Sequence, residues 1–223
     1  MSTTKVSYWF AVALLFGILA TKWSTDSTRR GDSVFSPDGL FSGEIIVSII
    51  EREASPKTSL EFLIDLNRGR ISAVDHGESL GMVVSSGGRI DHCDIPGTQE
   101  VVAPNRESTI RCVVAGGDAR GVRYEAKVRR RSADLQERRW SAPPDWEIKG
   151  FAWSPDSKSI AILLENERTD FRPVGLLSMI TGHPISLHSF GVTLLSSQLD
   201  HELKLPLIRK NSPAGWARVD WAE

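Results

Sequence analysis

The stretch FAWSPDSKSIAILL, residues 151–164, places an aromatic lead-in before a Ser-Pro-Asp turn and follows the turn with a β-branched, apolar run. A weaker copy, VFSPDGLFSGEIIV, stands at residues 34–47. Apolar runs rich in isoleucine, valine and leucine and bounded by turn residues are typical of β-strands. The two copies therefore predict a mainly β protein that contains a repeated unit.

Each copy begins with a turn whose residues have separate physical roles. Pro37 presets the φ angle of the second turn position, the following aspartate can bond its own backbone, and Gly39 accepts a positive φ. In the second copy Ser157 takes the place of this glycine. Both copies continue with a strand-like run, a charged loop, a second apolar run and a tight turn at Gly69 or Gly182. The expected order in both is turn, strand, polar loop, strand, glycine hairpin and strand.

The SPDG and SPDS turns, with the later hairpin sequences DLNRGR and MITGHP, resemble blades of TolB-type β-propellers, which are extracytoplasmic relatives of WD-repeat propellers. The resemblance covers only two local stretches of about 35–40 residues each. It implies four-stranded antiparallel blades and a disc that offers one face to a protein partner. Ser36 and Ser154 are 118 residues apart, a distance of about three blades at about forty residues per blade. Residues 31–223 are therefore expected to hold four or five blade units.

The middle of the chain departs from this pattern, because residues 75–90 and 115–130 contain strand and turn material but no Ser-Pro-Asp. The expected fold is therefore mainly β, with propeller-like antiparallel blades in a closed ring or in an incomplete, open one. A two-sheet β-sandwich is the alternative. One segment, RRRSADLQERRWSAPPDW at residues 129–146, has a helix-friendly composition, in which Ser132 caps a short turn that contains Glu137.

The N-terminal thirty residues differ from the rest of the chain. Sixteen uncharged residues, VSYWFAVALLFGILAT, lie between Lys5 and Lys22. As a helix this run spans about 24 Å, slightly less than a hydrocarbon core of about 30 Å. The flanking lysines can extend to the lipid headgroups, where tryptophan and tyrosine are also favoured. The run predicts an uncleaved membrane anchor; the alternative is a secretory signal that is cleaved after Ala20.

Both alternatives place residues 31–223 outside the cytosol. The expected organisation is a signal-anchor helix and short linker at residues 1–30, which contacts the membrane through residues 6–21, and one extracytoplasmic β domain at residues 31–223. The TolB-like resemblance implies a bacterial envelope. The expected location is the inner membrane, with a single pass and the β domain in the periplasm. A secreted or soluble periplasmic protein is the alternative if the signal is cleaved.

The chain has two cysteines, Cys93 and Cys112, and both belong to the part that is expected to be exported. In an oxidising compartment they can form a disulfide that closes a loop of about twenty residues and contributes about 3 kcal/mol. The alternative is a pair of buried, unpaired thiols.

The net charge of the chain argues against some classes of partner, and a local cluster of charges indicates one candidate binding surface. The formal net charge is −1, so no global field attracts nucleic acid or an anionic membrane. The expected partner is another protein of the cell envelope, and nucleic acid is not expected for an exported chain. The candidates for partner binding are the members of one local basic cluster: Arg123, Lys127, Arg129, Arg130, Arg131, Arg138, Arg139 and Trp140.

The same cluster has a plainer explanation. In YEAKVRRR, residues 124–131, strand alternation puts Tyr124 and Val128 on one face and Lys127 and Arg129 on the other. Much of the basic run is then the solvated face of a sheet and the turn that follows it. Docking and solvation both fit the sequence.

The most specific catalytic motif is GESLG at residues 77–81, which matches the nucleophile elbow of α/β-hydrolases and makes Ser79 a weak nucleophile candidate. Candidate partners follow it in the chain: His183, His188 or His201, with Asp170 or Asp200. The β-branched run after the motif lacks the long helix that such an elbow needs. Ser79 therefore supports only an alternative function, a small serine esterase or lipase.

No cofactor or metal is expected. The cluster DHCD at residues 91–94 lacks a second group of ligands at usable spacing, so a polar loop is the simpler interpretation. The sequence offers recognition surfaces and no convincing catalytic constellation. It predicts a membrane-anchored, extracytoplasmic protein-binding module and not an enzyme. Its role is either that of an accessory subunit of an envelope complex or that of a toxin-neutralising (immunity) partner.

Overall fold

The computed structural model describes the following residues: 33–37, 39–51, 59–74, 87–89, 100–118, 121–130, 137–168, 187–210 and 214–222. All of them belong to one compact unit, Asp32–Glu223. The expected anchor at residues 1–30 lies outside the described residues. Within the described ranges, no helix is long and apolar enough to cross a membrane.

The described residues form fourteen β-strands. These are β1 (Ser33–Val34), β2 (Glu44–Glu51), β3 (Ser59–Asp65), β4 (Arg70–Val74), β5 (Gly87–Arg89), β6 (Val101–Val102), β7 (Ser108–Asp118), β8 (Gly121–Arg130), β9 (Glu137–Ser141), β10 (Trp146–Trp153), β11 (Ser159–Arg168), β12 (Leu187–Ser196), β13 (Glu202–Lys210) and β14 (Ala214–Ala222). The prediction of a mainly β protein is confirmed.

The strands make three antiparallel sheets. Sheet A has the order β1-β4-β3-β2-β14, sheet B the order β13-β12-β11-β10-β5, and sheet C the order β6-β7-β8-β9. The two-sheet sandwich is therefore wrong for this chain. The described strands account for three sheets, and the expected number of four or five blade units stays a prediction.

Sheet B lies between the other two sheets and is apolar on both faces. Ala161 and Leu163 of β11 belong to the core that sheets A and B share. Ile160 and Ile162, which alternate with them, belong to the core between sheets B and C. All four side chains have no exposed surface. Because successive side chains of a strand point to opposite faces, the run SIAILL is the continuous apolar sequence that a doubly covered strand requires.

The first copy of the repeat has the expected order. Gly39 has a φ of 73° in the Ser-Pro-Asp-Gly turn, and Gly69 has a φ of 63° in the hairpin between β3 and β4. The hairpin also contacts the start of the copy, since the Phe35 N–H donates a hydrogen bond to the Gly69 carbonyl over 2.8 Å. The first turn and the glycine hairpin therefore support each other.

The second turn is closed by side-chain hydrogen bonds. The Ser154 hydroxyl donates to Asp156 over 2.7 Å and accepts from the Ser159 N–H over 2.9 Å. The Lys158 N–H donates to the same aspartate over 3.0 Å. Burial alone would raise the pKa of Asp156, but the hydrogen bonds from Ser154 and Lys158 and the nearby Lys158 charge hold it below its ordinary value.

Ser157 has a φ of 61°, which is unusual for a residue other than glycine. Its hydroxyl accepts a hydrogen bond from the Asn105 N–H over 3.1 Å. Asn105 lies in the turn between β6 and β7, so this bond joins sheet B to sheet C. The serine that replaces the glycine of the first copy therefore links two sheets.

The rest of the second copy is described only in part. On the side away from β10, β11 pairs with β12 along ten residues, from Ser159 opposite Ser196 to Arg168 opposite Leu187. The expected second apolar run and the turn at Gly182 lie outside the described residues.

The C-terminal strand completes the N-terminal sheet. In sheet A, β14 pairs with β2 and places Trp221 opposite Ile45. In sheet B, β10 pairs with β11 and places Trp153 opposite Ile160 in the same way. Both indole rings are buried, so Trp153 and Trp221 are core residues. Gly43 allows the packing of Trp221, because a Cβ at Gly43 would lie only 2.8 Å from the indole nitrogen.

Part of the segment with a helix-friendly composition, residues 129–146, forms a β-strand in the structure. Glu137 begins strand β9 and does not lie in a capped helical turn as expected, while residues 131–136 lie outside the described residues. β9 pairs with β8 from Arg129 opposite Glu137 to Glu125 opposite Ser141. Cross-strand pairing has outweighed a weak local helix propensity.

The contact between the first turn and its hairpin can be tested with Gly69→Ala. A Cβ at Gly69 would lie 2.2 Å from the Phe35 carbonyl oxygen and 2.9 Å from Pro37 Cδ. We expect the free energy of unfolding to fall by about 3 kcal/mol, because the new methyl group meets backbone at a positive φ. Gly39→Ala is the control, since it has a similar φ and nothing within 4 Å, and should cost about 1 kcal/mol. Equal losses in urea unfolding would contradict this explanation.

Two variants at Ser157 separate backbone strain from the link between the sheets. Ser157→Ala loses the hydrogen bond from Asn105 and keeps the strained φ, so it should lower the free energy of unfolding by about 1–2 kcal/mol. Ser157→Gly loses the same bond but relieves the strain, and should be more stable than the alanine variant by about 1 kcal/mol. Thermal or urea unfolding of both variants measures the difference. An alanine variant as stable as the glycine variant would show that the φ is not strained.

Candidate functional site

The outer face of sheet C, turned away from sheet B, is charged. Arg111 of β7, Lys127 of β8 and Arg139 of β9 lie directly opposite one another in one row across three strands. The next row contains Arg129 opposite Glu137. We call this surface, which also carries Arg123 and Glu125 by strand alternation, the basic face.

Three like charges in one row would destabilise the sheet without a counter-charge. Glu137 supplies it. Its carboxylate oxygens lie 3.2 Å from Arg111 Nη2, 3.4 Å from Lys127 Nζ and 3.2 Å from Arg139 Nη2. One carboxylate therefore contacts all three cations and orders their ends.

The three cations keep Glu137 ionised. Burial alone would raise the pKa of this carboxyl, but the Lys127 charge, hydrogen bonds from Lys127 and Arg111, and the Arg139 charge together hold it below its ordinary value. The cation row consequently retains its counter-ion under mildly acidic conditions.

The basic face has an excess of positive charge. Among the residues of this face whose side chains the structure describes, five cations stand together with two carboxylates, which leaves three net positive charges: the cations are Arg111, Arg123, Lys127, Arg129 and Arg139, and the carboxylates are Glu125 and Glu137. The side chain of Arg139 is 59% exposed and that of Arg111 is 42% exposed. Glu137 therefore neutralises only part of a solvent-accessible cationic surface.

The structure brings together four of the eight candidate residues. Arg123, Lys127, Arg129 and Arg139 share the basic face, which also agrees with the alternation expected for YEAKVRRR. Arg130 lies at the end of β8, one position past Arg129, and so belongs to the opposite side of the sheet. Arg131 lies outside the described residues.

Two further candidates, Arg138 and Trp140, bind sheet B. The Arg138 guanidinium donates a hydrogen bond to the Gln198 carbonyl. The indole N–H of Trp140 donates to Glu202 over 3.3 Å. Both side chains therefore fasten sheet C to the turn and strand that follow β12, and neither belongs to the basic face.

Sequence reasoning missed two members of the basic face, Arg111 and Glu137. The signal for Arg111 was present, because STIRCVV alternates buried and outward residues around Ile110 and Cys112. Glu137 had no comparable signal. Its role depends on which strands pair, and its local sequence favoured a helical turn.

The cysteine pairing stays a prediction. Cys112 is buried in β7 on the side that faces sheet B, and it contributes to the core between the two sheets. Cys93 lies outside the described residues.

The catalytic alternative also stays a prediction, because Ser79, His183 and Asp170 lie outside the described residues. His201 is exposed in the turn between β12 and β13. His188 is buried, and its Nδ1 lies 3.0 Å from Glu165 Oε1.

Glu165 and His188 belong to a buried ionic cluster. Lys149 Nζ lies 3.0 Å from Glu165 and 2.8 Å from Glu147. Burial alone would lower the pKa of Lys149, but Glu165 and Glu147 raise it above its ordinary value. Lys149 therefore provides a stable positive charge beside the buried carboxylate, an arrangement that neutralises charge in the protein interior.

Metal binding finds no support in the described part of the chain. Within it, no group of three histidine, cysteine, aspartate or glutamate side chains is placed to hold a metal ion. His76 and residues 91–94 lie outside it.

No protein-family model, curated protein or solved structure matches this sequence. The likeness to TolB-type blades therefore remains a local sequence resemblance.

The role of Glu137 can be tested through the pH dependence of stability. Because its pKa is lowered from an ordinary value of 4.5, its stabilising effect should be complete above about pH 4.5 and disappear as the pH falls through the lowered pKa. Glu137→Gln should lower the free energy of unfolding by about 1 kcal/mol at pH 7 and much less at pH 3. Glu125→Gln, on the same face, is the control. A loss for Glu137→Gln that is independent of pH would contradict the ionic explanation.

Proposed function

We propose that this chain is a membrane-anchored, extracytoplasmic protein-binding module and that the basic face is its docking surface. The single observation that carries the proposal is the excess of three positive charges among the described side chains of one exposed sheet face. The rest of the chain then carries a formal charge of −4, since the total is −1. Solubility requires charge but not this segregation of sign. A segregated basic face fits a partner with an acidic surface, which it would attract and orient.

The geometry of the cation row supports docking more than simple solvation. Solvated lysine and arginine side chains lose conformational entropy when they are held in one place. Here Glu137 already holds Arg111, Lys127 and Arg139 within 3.4 Å of one carboxylate. A partner would meet side chains that are ordered in advance, which reduces the entropy cost of binding.

The partner is another protein of the cell envelope. Two roles fit this proposal, that of an accessory subunit of an envelope complex and that of a toxin-neutralising partner. Residues 6–21 would hold the chain in the bacterial inner membrane as a single pass, with residues 31–223 in the periplasm. A soluble periplasmic protein is the alternative if the N-terminal segment is cleaved. Identification of the partner separates the two roles, because a toxic effector would itself be recovered.

For the fold we propose propeller-like blades in an open arrangement. Two features support the blades. The Ser-Pro-Asp turns precede β2, which is the neighbour of β14 in sheet A, and β11, which is the neighbour of β10 in sheet B. In addition, β14 and β2 join the two ends of the chain in one sheet, as the strands that close propeller rings do. The cores join sheet A to sheet B and sheet B to sheet C, which supports the open form.

The docking proposal is tested by affinity purification of the full-length protein from its own membranes in mild detergent. Arg129→Gln combined with Arg139→Gln removes two charges from the basic face. Arg68→Gln combined with Lys158→Gln removes two charges from turns on sheets A and B, where both side chains are 82% exposed. We expect one partner at equal amounts with the wild type and the Arg68/Lys158 control. Its recovery should fall about tenfold with the basic-face variant.

Raised salt should weaken the wild-type complex, because exposed charges are screened. Thermal unfolding must show that both double variants are folded. Equal recovery of the partner with both variants would exclude the basic face as the docking surface. Recovery of the chain alone would contradict the proposed function itself.

A further inference from the structure

A small apolar cleft of about 210 Å³ is lined by strands of sheet B and by Pro143, which lies in the connection after strand β9. The residues that decide its properties are Pro143, Trp146, Leu164, Gly191, Lys204 and Pro206. Apart from Lys204 and Thr193, the residues that line the cleft are apolar. They come from β10, β11, β12 and β13 of sheet B and from the connection after β9.

Gly191 permits the close approach of the cleft walls. It lies at a bulge in the pairing of β12 with β13, opposite Pro206. A Cβ at this position would lie 3.1 Å from the Leu205 carbonyl oxygen and 3.8 Å from the Trp146 ring. Without a side chain there, the indole and the proline can face each other across the cleft.

The size and charge of the cleft restrict its occupant. Sites for small molecules have volumes of about 300–1,000 Å³, so a cleft of about 210 Å³ fits a single side chain better than a metabolite. The charge of Lys204 at the rim is balanced by Glu202, whose Oε1 lies 3.3 Å from Nζ. An apolar cleft with a neutralised rim fits an uncharged aliphatic side chain.

Side-chain contacts link the rim of the cleft to strand β9, which also carries part of the basic face. Glu202, which pairs with Lys204 at the rim, also accepts the hydrogen bond from the Trp140 indole over 3.3 Å. Trp140 and Arg139 are neighbours in β9 and point to opposite sides of the strand. Among the strands that the structure describes, β9 stands at one edge of sheet C. A protein that covers this edge would therefore contact Arg139 on one side and the cleft on the other.

We propose that the acidic protein that docks on the basic face inserts one aliphatic side chain, of leucine or methionine size, into this cleft. The inference rests on the proposed function and adds the anchor of the interface to it. Charged residues on the basic face would speed and orient the encounter. Burial of one apolar side chain against Trp146 would provide much of the affinity, as anchors in interface pockets do.

The test uses the partner recovered with the full-length chain, purified and measured for binding to the full-length protein in detergent. Lys204→Trp places a large ring at the rim and blocks the cleft. Lys204→Gln removes the same charge without blocking it. The Lys204 side chain is 60% exposed, so neither change disturbs the core. We expect Lys204→Trp to weaken binding at least about tenfold and Lys204→Gln to change it less than about twofold.

A second variant, Trp146→Ala, removes one wall of the cleft and should weaken binding by a similar factor while the protein remains folded by thermal unfolding. Unchanged affinity of Lys204→Trp would overturn the anchor proposal, as would equal losses for the two Lys204 variants. The Arg129/Arg139 double variant separates this result from the proposed function. If it loses the partner while Lys204→Trp retains it, docking stands and the anchor fails. If all variants retain the partner, both proposals fail.

Discussion

The structure depends on the burial of sheet B on both of its faces. Four consecutive residues of β11, from Ile160 to Leu163, have no exposed surface, and they alternate between the core shared with sheet A and the core shared with sheet C. Buried apolar area is the main favourable term in folding, and this strand contributes to two cores at once. A polar residue anywhere in this run would leave an unsatisfied group in one of the cores.

Because sheets A and C cover the two faces of sheet B, hydrogen bonds between the sheets are needed to fix their relative positions. Apolar packing between two sheets has little directional preference, whereas hydrogen bonds restrict their relative position. Sheet C is linked to sheet B by the Trp153 indole, which donates to the Val101 carbonyl over 3.1 Å, and by the bond between Asn105 and Ser157. Trp140 adds a third link at the edge. Because these side chains hold the inner side of sheet C, its outer side is available for the basic face.

Both parts of the proposed docking surface, the basic face and the cleft, follow from the same arrangement. On the outer side of β9, residues that need no apolar neighbour can be charged, and Glu137 and Arg139 occupy these positions. Beyond the end of β9, Pro143, Trp146 and Pro206 border an apolar cleft. In the proposed interface, the basic face and the cleft are both reached from strand β9.

The sequence by itself determined the local structure of the chain. The Ser-Pro-Asp turns, the hairpin at Gly69 and the alternation of Tyr124 to Arg129 depend on residues close together in the chain, so their physical causes can be recognised there. The aromatic lead-in to the second turn is equally local, and Trp153 within it lies in the core.

Only the tertiary structure decided which strands share a sheet and which charges meet. β14 pairs with β2 although most of the domain separates them in sequence. Arg111 and Glu137 are 26 residues apart and meet only because β8 lies between their strands. The helical preference around Glu137 is weak, at a few tenths of a kcal/mol per residue, and cross-strand pairing outweighs it. Pairing between distant strands depends on the packing of whole sheets, and no local pattern of residues contains that information.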